Sequence, residues 1–401
     1  MRVNIPNTFF KTNKLYKLKK IVFLTSQPLD QRNFYRFGLD IFIKHNWNII
    51  YCHFNVTNNS NKIFENKKKV KSKDLKKLKN YTISNFKELK NILNKIEHAY
   101  YADFTIGSLF KIYANLKLEK KNTRLIFNIN NYPNLKKSEL RNFFDIFKNL
   151  LPLKSNFYKI LRLVINKTNN FFINYIYKKP ILVFSGKVSY NKNQYLKVIN
   201  NHAMDYDFFI KDSDSKIETQ SIVFIDAYLE NHPDLTFLKK KVVTKKKYFS
   251  SLSNFFSKIE EKFNNKVIVA IHPRAPFDKT RYKENKKFFY DTYNLIKKSK
   301  LVIMHGSTSA NFACILKKPI LFIYTNEMSK NYPKSVHNIK FFAKEFGTKA
   351  INIDDNKNIN FKSYLEINEK KYEEYFSKYV MNNKKDSYLF WEKIIFELEK
   401  I

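Results

Sequence analysis

Glycine is nearly missing from this chain, with five in 401 residues. Neither a G-x-x-x-x-G-K-[ST] loop nor a G-x-G-x-x-G turn occurs, and both rely on glycine to bring backbone amides against phosphate. That excludes P-loop nucleotide hydrolases and dinucleotide-binding dehydrogenases of the common type. Cysteine is equally sparse. Cys52 and Cys314 each lie in or beside an apolar run, and no C-x-x-C pair is present. A disulfide framework and a structural zinc site are therefore not expected, and a reducing compartment is. No stretch approaches the roughly 18 uninterrupted apolar residues of a membrane span. The run Ile21–Thr25 after the first lysines is too short for a signal-peptide core, so a cytoplasmic protein is expected.

Acidic residues are the last shortage: 35 Asp+Glu stand against 75 Lys+Arg, a formal +40. Part of this follows from a general richness in Lys, Asn, Ile and Phe, which leaves the shortage of acids unexplained. An anionic partner fits: a lipid surface, an anionic glycan or lipid-linked acceptor, or nucleic acid. No RNA- or DNA-binding module pattern is present. The expectation is an anionic substrate, with peripheral contact to the anionic inner-membrane surface.

What is abundant is hydrophobic sequence, at 44% with 17% aromatic, enough for two real cores in a chain this long. Val267–Ile271, Leu301–Met304 and Pro319–Tyr324 are strand-sized runs without alternation, as expected of strands buried on both faces. Helical patterns at Thr292–Ser299 and Ala310–Leu316 separate them. Alternating strands and helices predict a parallel, doubly wound sheet, whose ligands bind outside the carboxyl ends of the strands. The first half repeats the pattern. Lys20–Thr25, Trp47–Phe54, His98–Phe104, Leu125–Ile129 and Pro180–Ser185 read as strands, Asn33–Lys44 and Glu88–Glu97 as helices, and 60–80 as a surface segment. Residues 135–178 read as helical, aromatic and basic, an amphipathic face for an acceptor or membrane. The polar Lys211–Gln220 reads as a linker. The domains are placed at 1–215 for the acceptor and 216–401 for the nucleotide sugar, the latter including terminal helices over 368–400.

Candidate site residues cluster at the strand ends. His272-Pro273-Arg274 follows one strand of the second domain, and His305-Gly306-Ser307-Thr308-Ser309 follows the next. Arginine offers a two-pronged fork to phosphate, and histidine can donate to a leaving phosphate. The Ser-Thr-Ser segment opens a helix, where hydroxyls cap amides or bind phosphate together with them. Gly306 and Gly186 follow buried strands, where a tight turn or close approach is expected. Asp226 ends the strand Ser221–Ile225, either as a turn residue or as a catalytic group. His232-Pro233 reads as structural. Asp212-Ser213-Asp214 matches a D-x-D metal motif in a bland linker setting, and no metal is expected. Asp30, Arg32 and Arg36 follow the first strand. The two arginines are one helical turn apart, facing either the cleft or solvent.

With these motifs in hand, the chain resembles bacterial glycosyltransferases of the GT-B architecture, two Rossmann-like domains facing across a cleft. The second domain looks most like the sialyltransferase and capsular Kdo-transferase groups, which share an HP motif and a downstream Ser/Thr motif. Here these are His272-Pro273 and Ser307-Thr308-Ser309. Arg36-Phe37-Gly38 matches a helix found early in similar surface-carbohydrate proteins. The resemblance implies a metal-independent transferase of surface polysaccharide or lipooligosaccharide assembly. Its donor would be a CMP-activated acidic sugar, held by His272, Pro273, Arg274 and residues 305–309. Arg32 and Arg36 would hold the acceptor. The acidic D/E-D-G motif of many sialyltransferases has no match, which leaves Asp30 or Asp226 as base. Other readings are a nucleotide-sugar epimerase, a polyol-phosphate transferase using a CDP donor, and a non-catalytic basic protein that binds nucleic acid or membrane.

Overall fold

The computed structural model describes residues 19–54, 70, 75–105, 109–129, 133, 178–212, 220–232, 235, 241–276, 278, 281–282, 285–355, 359–382 and 387–401. Two all-parallel sheets organise them. The first has seven strands: β1 (Lys20–Thr25), β2 (Asn48–Phe54), β3 (Leu78–Ile83), β4 (Tyr100–Phe104), β5 (Thr123–Ile129), β6 (Ile181–Ser185) and β7 (Lys197–Asn201), in the order β3-β2-β1-β4-β5-β6-β7. The second has six: β8 (Ser221–Ile225), β9 (Val267–Ile271), β10 (Lys287–Phe289), β11 (Ser299–Met304), β12 (Ile320–Tyr324) and β13 (Ile351–Asn352), in the order β10-β9-β8-β11-β12-β13. The α/β class with two doubly wound domains is therefore what the chain forms. Each sheet reverses its winding once, between β1 and β4 and between β8 and β11, and such a reversal opens a crevice at the strand ends.

Buried strands read as unbroken apolar runs because both of their faces are covered. Along β1, Ile21 and Phe23 enter one core while Val22 and Leu24 enter another on the opposite face. The strands not foreseen are mostly edge or short ones. β3 (LKNYTI) keeps lysine and asparagine exposed, as edge strands do to avoid pairing with other chains, and so it read as surface. β10 has three residues, too few for a periodicity signal.

The helical pattern at Asn33–Lys44 is two helices, α1 (Gln31–Arg36) and α2 (Leu39–Lys44), parted by Gly38 at φ 61°. A Cβ on Gly38 would lie 2.3 Å from the indole of Trp391. Trp391 belongs to the last helix, Phe390–Leu398, and its Nε1–H donates to the Arg36 carbonyl at 3.0 Å. Phe390, Trp391, Ile394, Ile395 and Leu398 are buried in the core of the first sheet, against Phe23 and Phe42. This corrects the domain division: the final helix completes the first domain. The first crossing also comes earlier than residue 216. Asp212 is ion-paired with Lys297 at 2.7 Å and accepts from the Tyr293 hydroxyl at 2.9 Å, and Phe208 packs on Tyr293 and Phe312, so the segment after β7 already belongs with the second sheet.

Gly186 (φ 68°) marks another close approach: a Cβ there would lie 2.2 Å from the Lys378 carbonyl oxygen. Gly306 needs no such freedom, since a Cβ would meet Ile339 and Phe342 at an ordinary 3.6 Å. The basic, aromatic 135–178 segment falls outside the described residues except for Lys178. Both cysteines are buried and unpaired. Among the described residues, no helix is long and apolar enough to cross a membrane.

Replacing Trp391 with Ala would empty an indole-sized volume in the first core and is expected to cost about 3–5 kcal/mol. The check is a urea titration followed by far-UV circular dichroism. An unchanged midpoint would show that the final helix contributes no stability to the first domain.

Candidate functional site

The two motif-bearing strand ends of the second sheet are not neighbours, because β8 lies between β9 and β11. Asp226, just past β8, fills that gap. Its Oδ1 accepts from the Tyr228 amide (2.8 Å) and the Tyr282 hydroxyl (3.0 Å), and its Oδ2 from Arg281 Nη2 (2.9 Å) and the His272 amide (3.3 Å). Its side chain is 0% exposed. Asp226 is therefore not a base for an acceptor hydroxyl; it is the knot that holds the β8 and β9 ends and the Arg281-Tyr282 segment in register. Arg281 is paired a second time, with Glu230 at 2.8 Å, and lies 4.9 Å above the Tyr228 ring. Burial opposes its charge, but the carboxylates of Asp226 and Glu230 outweigh that and keep it a cation.

His272 sits on this knot. Its Nδ1 accepts from the Arg274 amide at 3.1 Å, so the ring proton resides on Nε2. Tyr228 stacks beside the ring and His232 meets it edge-on at 5.1 Å. His232, read as structural, is thus a wall of the site, and its neighbours Pro233 and Asp234 lie outside the described residues. Burial, then His232, then Arg274 and Arg32 push the His272 imidazole down to about 4. At neutral pH it is an uncharged donor through Nε2.

His305 is placed differently. Its Nδ1–H donates to the Ile323 carbonyl (2.8 Å) and its Nε2 accepts from the Tyr248 hydroxyl (2.7 Å), with the residue 2% exposed. Burial pushes it down to about 4. Both ring nitrogens are used inside the core, so the His305 side chain ties β11 to β12 and to the helix Lys245–Phe263, and a nucleotide-binding role for its ring is corrected. The Ser-Thr-Ser segment also differs from expectation. The amides of Ala310, Asn311 and Phe312 already donate to the carbonyls of Ser307, Thr308 and Ser309, and the Ser307 hydroxyl takes the Ser309 amide at 3.2 Å. What this turn offers the cleft is exposed Gly306 and Thr308 and the half-buried Ser307 and Ser309. A bundle of free helix amides is not among it.

Backbone strain concentrates here. Tyr228, Tyr282 and Tyr290 have φ of 51°, 51° and 61°, a left-handed conformation that costs a bulky L-residue about 1–2 kcal/mol each. All three border the ends of β8, β9 and β10. Strain of this kind persists where surroundings over-determine it, and it gathers at functional sites.

The first domain supplies the opposite wall. Asp30 caps α1, accepting from the Asn33 amide at 2.7 Å. Arg32 and Arg36 reach water yet lie between the two domains. Dehydration by the cleft walls, then Arg36 and Arg274, push Arg32 down to about 10, and dehydration followed by Arg274 lowers Arg36. Among the described residues neither makes an ion pair. Asp30 lies near Arg32, and Asp205 near Arg36. Asp205 accepts from Asn311 Nδ2 at 2.8 Å, bridging the crossing segment to the helix after the Ser-Thr-Ser turn. Burial pushes its carboxyl up to about 6. Sequence reasoning missed Asp205, whose one signal is a carboxylate shortly after β7. Asp212 of the D-x-D match is taken up by Lys297 and Tyr293, while Ser213 and Asp214 lie outside the described residues. Among the described residues no group of three metal-ligating side chains forms.

Two parallel sheets thus face a shared cleft lined by three arginines and a donor histidine. The same architecture occurs in the wall teichoic acid polymerase TagF. A histidine-to-asparagine variant of it matches with TM-score 0.51 at 12% identity, over 96% of this chain and 90% of that one. The same variant soaked with CDPG gives 0.52 at 11% over the same shares. This is the GT-B fold. MurG from Acinetobacter baumannii is a weaker match, with TM-score 0.45 at 8% identity over 95% of this chain and 99% of that one. No family model and no curated protein matches the chain. The likeness supports the GT-B fold and does not reach a sialyltransferase or Kdo-transferase grouping. In GT-B terms, Arg32, Arg36 and Asp30 stand on the first-domain wall, and Arg274, His272 and the Ser-Thr-Ser turn on the second.

Because both folded-state histidine values lie below the ordinary 6.5, the unfolded chain binds protons first on acidification. Their contribution to stability is fully present above about pH 6.5 and is lost as the pH falls toward 4. Imidazole proton NMR is expected to show His272 and His305 uncharged throughout pH 5–8. Titration of either near 6.5 would contradict their placement.

Proposed function

We propose that this chain is a glycosyltransferase of surface-polymer assembly, taking a nucleotide-activated sugar in the second domain and an acceptor hydroxyl from the first. The observation that carries the proposal is the convergence of Arg32 and Arg36 on Arg274 across the cleft. Arg32 and Arg36, carried by α1, lie near enough to Arg274 for its charge to lower both, and a bound polyanion would offset that repulsion. Arg274 and the His272 Nε2–H would donate to the oxygens of the departing phosphate, aided by the hydroxyls of Ser307, Thr308 and Ser309. Fixed donors of this kind stabilise developing charge without a metal.

In the reaction, the acceptor oxygen bonds to the anomeric carbon as the bond to phosphate breaks, the nucleotide leaves with both electrons, and a carboxylate takes the hydroxyl proton. With Asp226 saturated, Asp30 and Asp205 are the candidates for that carboxylate. Each has one oxygen committed, Asp30 to the Asn33 amide and Asp205 to the Asn311 side chain. We assign the role to Asp205, whose proton affinity near 6 suits a base at neutral pH. The donor we favour is a CMP-activated acidic sugar, because its carboxylate adds a second anion for the arginines. The acceptor is an anionic glycan or lipid-linked chain at the inner membrane surface, in keeping with the +40 charge. The fold likeness to TagF, with its CDPG soak, favours one further reading, transfer of a polyol phosphate from a CDP donor.

A thermal-shift panel of CMP, CDP, UMP, UDP and GDP tests the site. A ligand at 100 times its Kd should stabilise by about 2.7 kcal/mol, and Arg274→Ala should abolish the shift. Stabilisation by CMP favours the acidic-sugar donor, and preference for CDP the polyol-phosphate reading. Absence of any nucleotide effect would sink the transferase proposal. Asp205→Asn is expected to lower turnover about 100-fold or more while nucleotide binding stays intact. The wild-type rate should rise with pH through about 6 as this carboxyl ionises. Full activity in that variant would return the role to Asp30.

A further inference from the structure

Of the three left-handed tyrosines, two are held by the protein. Tyr282 is 7% exposed and donates its hydroxyl to Asp226. Tyr228 gives its amide to Asp226, and its ring lies beneath Arg281 and beside His272. Tyr290 has no such reason. It shares the strained backbone, at φ 61°, yet its side chain is 61% exposed. Its one side-chain hydrogen bond among the described residues runs to the Pro273 carbonyl at 3.3 Å. That bond fixes the ring at the carboxyl end of β10, against the residue that separates His272 from Arg274. Tyr290 also lies near Arg32 of the facing domain. The ring therefore stands at the mouth of the cleft, oriented by its hydroxyl and largely exposed, with Phe289 tilted beside it at 6.4 Å.

We propose that Tyr290 is the stacking platform for the base of the bound nucleotide, with phosphate at Arg274 one strand inward. This rests on reading the cleft as a nucleotide site. A 5′-nucleotide carries its base one ribose away from its phosphate, a step comparable with the roughly 4.8 Å between neighbouring strands. From β9 to β10 is one such step, and the polar contacts at the β9 end suit phosphate while the exposed ring at the β10 end suits a planar base. Stacking accepts any base face, so Tyr290 sets affinity for nucleotides over plain sugar phosphates, and groups at the base edge choose among bases.

Isothermal titration of wild type, Tyr290→Ala, Tyr290→Phe and Tyr290→Gly tests this, with CMP, UMP, GMP and ribose 5-phosphate as probes. Wild type should bind its best nucleotide at least about tenfold tighter than ribose 5-phosphate. Tyr290→Ala should weaken that nucleotide by about 5- to 150-fold and leave ribose 5-phosphate unchanged, while Tyr290→Phe keeps most of the affinity. Tyr290→Gly should lose the same affinity yet melt roughly 2–4 °C higher, because glycine takes the left-handed backbone without strain. Equal nucleotide affinity in wild type and Tyr290→Ala overturns the proposal, as does an equal loss for nucleotide and ribose 5-phosphate. A lower melting temperature in Tyr290→Gly would make Tyr290 a structural residue and overturn it too. If wild type binds none of the probes, the nucleotide-site reading falls, and this assignment with it.

Discussion

The indole of Trp391 fills the space that a Cβ on residue 38 would need, and its N–H holds the carbonyl of Arg36. Much of the molecule depends on that contact. It turns the chain between α1 and α2, seats Phe37 among Phe23, Tyr51 and Phe104, and fixes the end of the helix that carries Arg32 and Arg36. The last helix of the chain therefore sets the geometry of the first helix of the site. The motif Arg36-Phe37-Gly38 has a physical reading in these terms: one residue for the cleft, one for the core, one with no side chain so that an indole can enter.

Electrostatics divides the site into two regimes. On the second-domain side, one buried cation serves two buried carboxylates: Arg281 pairs with both Asp226 and Glu230, and removing Arg281 would leave buried carboxylates unpaired, at a cost of about 3–5 kcal/mol. On the facing side, charge is left over. Arg32 and Arg36 repel each other and Arg274, with Asp30 and Asp205 near but not ion-paired with them. The second-domain half holds an uncharged histidine, and the facing half carries arginines whose charges repel. Most surface lysine pairs contribute little beside these.

The sequence makes the sheets legible because strands covered on both faces leave unbroken apolar runs, and apart from the edge strands β3 and β7 the longer strands lie where those runs predict. His272 and Arg274 were found for the same reason, since polar residues directly after such a run must sit at a strand end. The remaining features depended on information that periodicity does not carry. Winding order inserts β8 between the two motif strands, which turns Asp226 from a reacting group into a saturated anchor. His305 follows its strand as His272 follows another, and only the third dimension sends its ring inward to Tyr248 and Ile323. Asp205 depends on a contact with Asn311, 106 residues away. The left-handed tyrosines have no sequence signal, since bulky residues are the last expected there.

The placement of Phe390–Leu398 has a consequence for how the chain is made. Protein domains usually fold in the order they leave the ribosome. Here the first domain lacks the Trp391 side of its core until every strand of the second has been synthesised, so the amino-terminal half must wait, with Phe23, Phe37 and Phe42 incompletely covered, while the later half folds. Of these two domains, the one that starts first is completed last, and its aromatic surface stays open while the second is made.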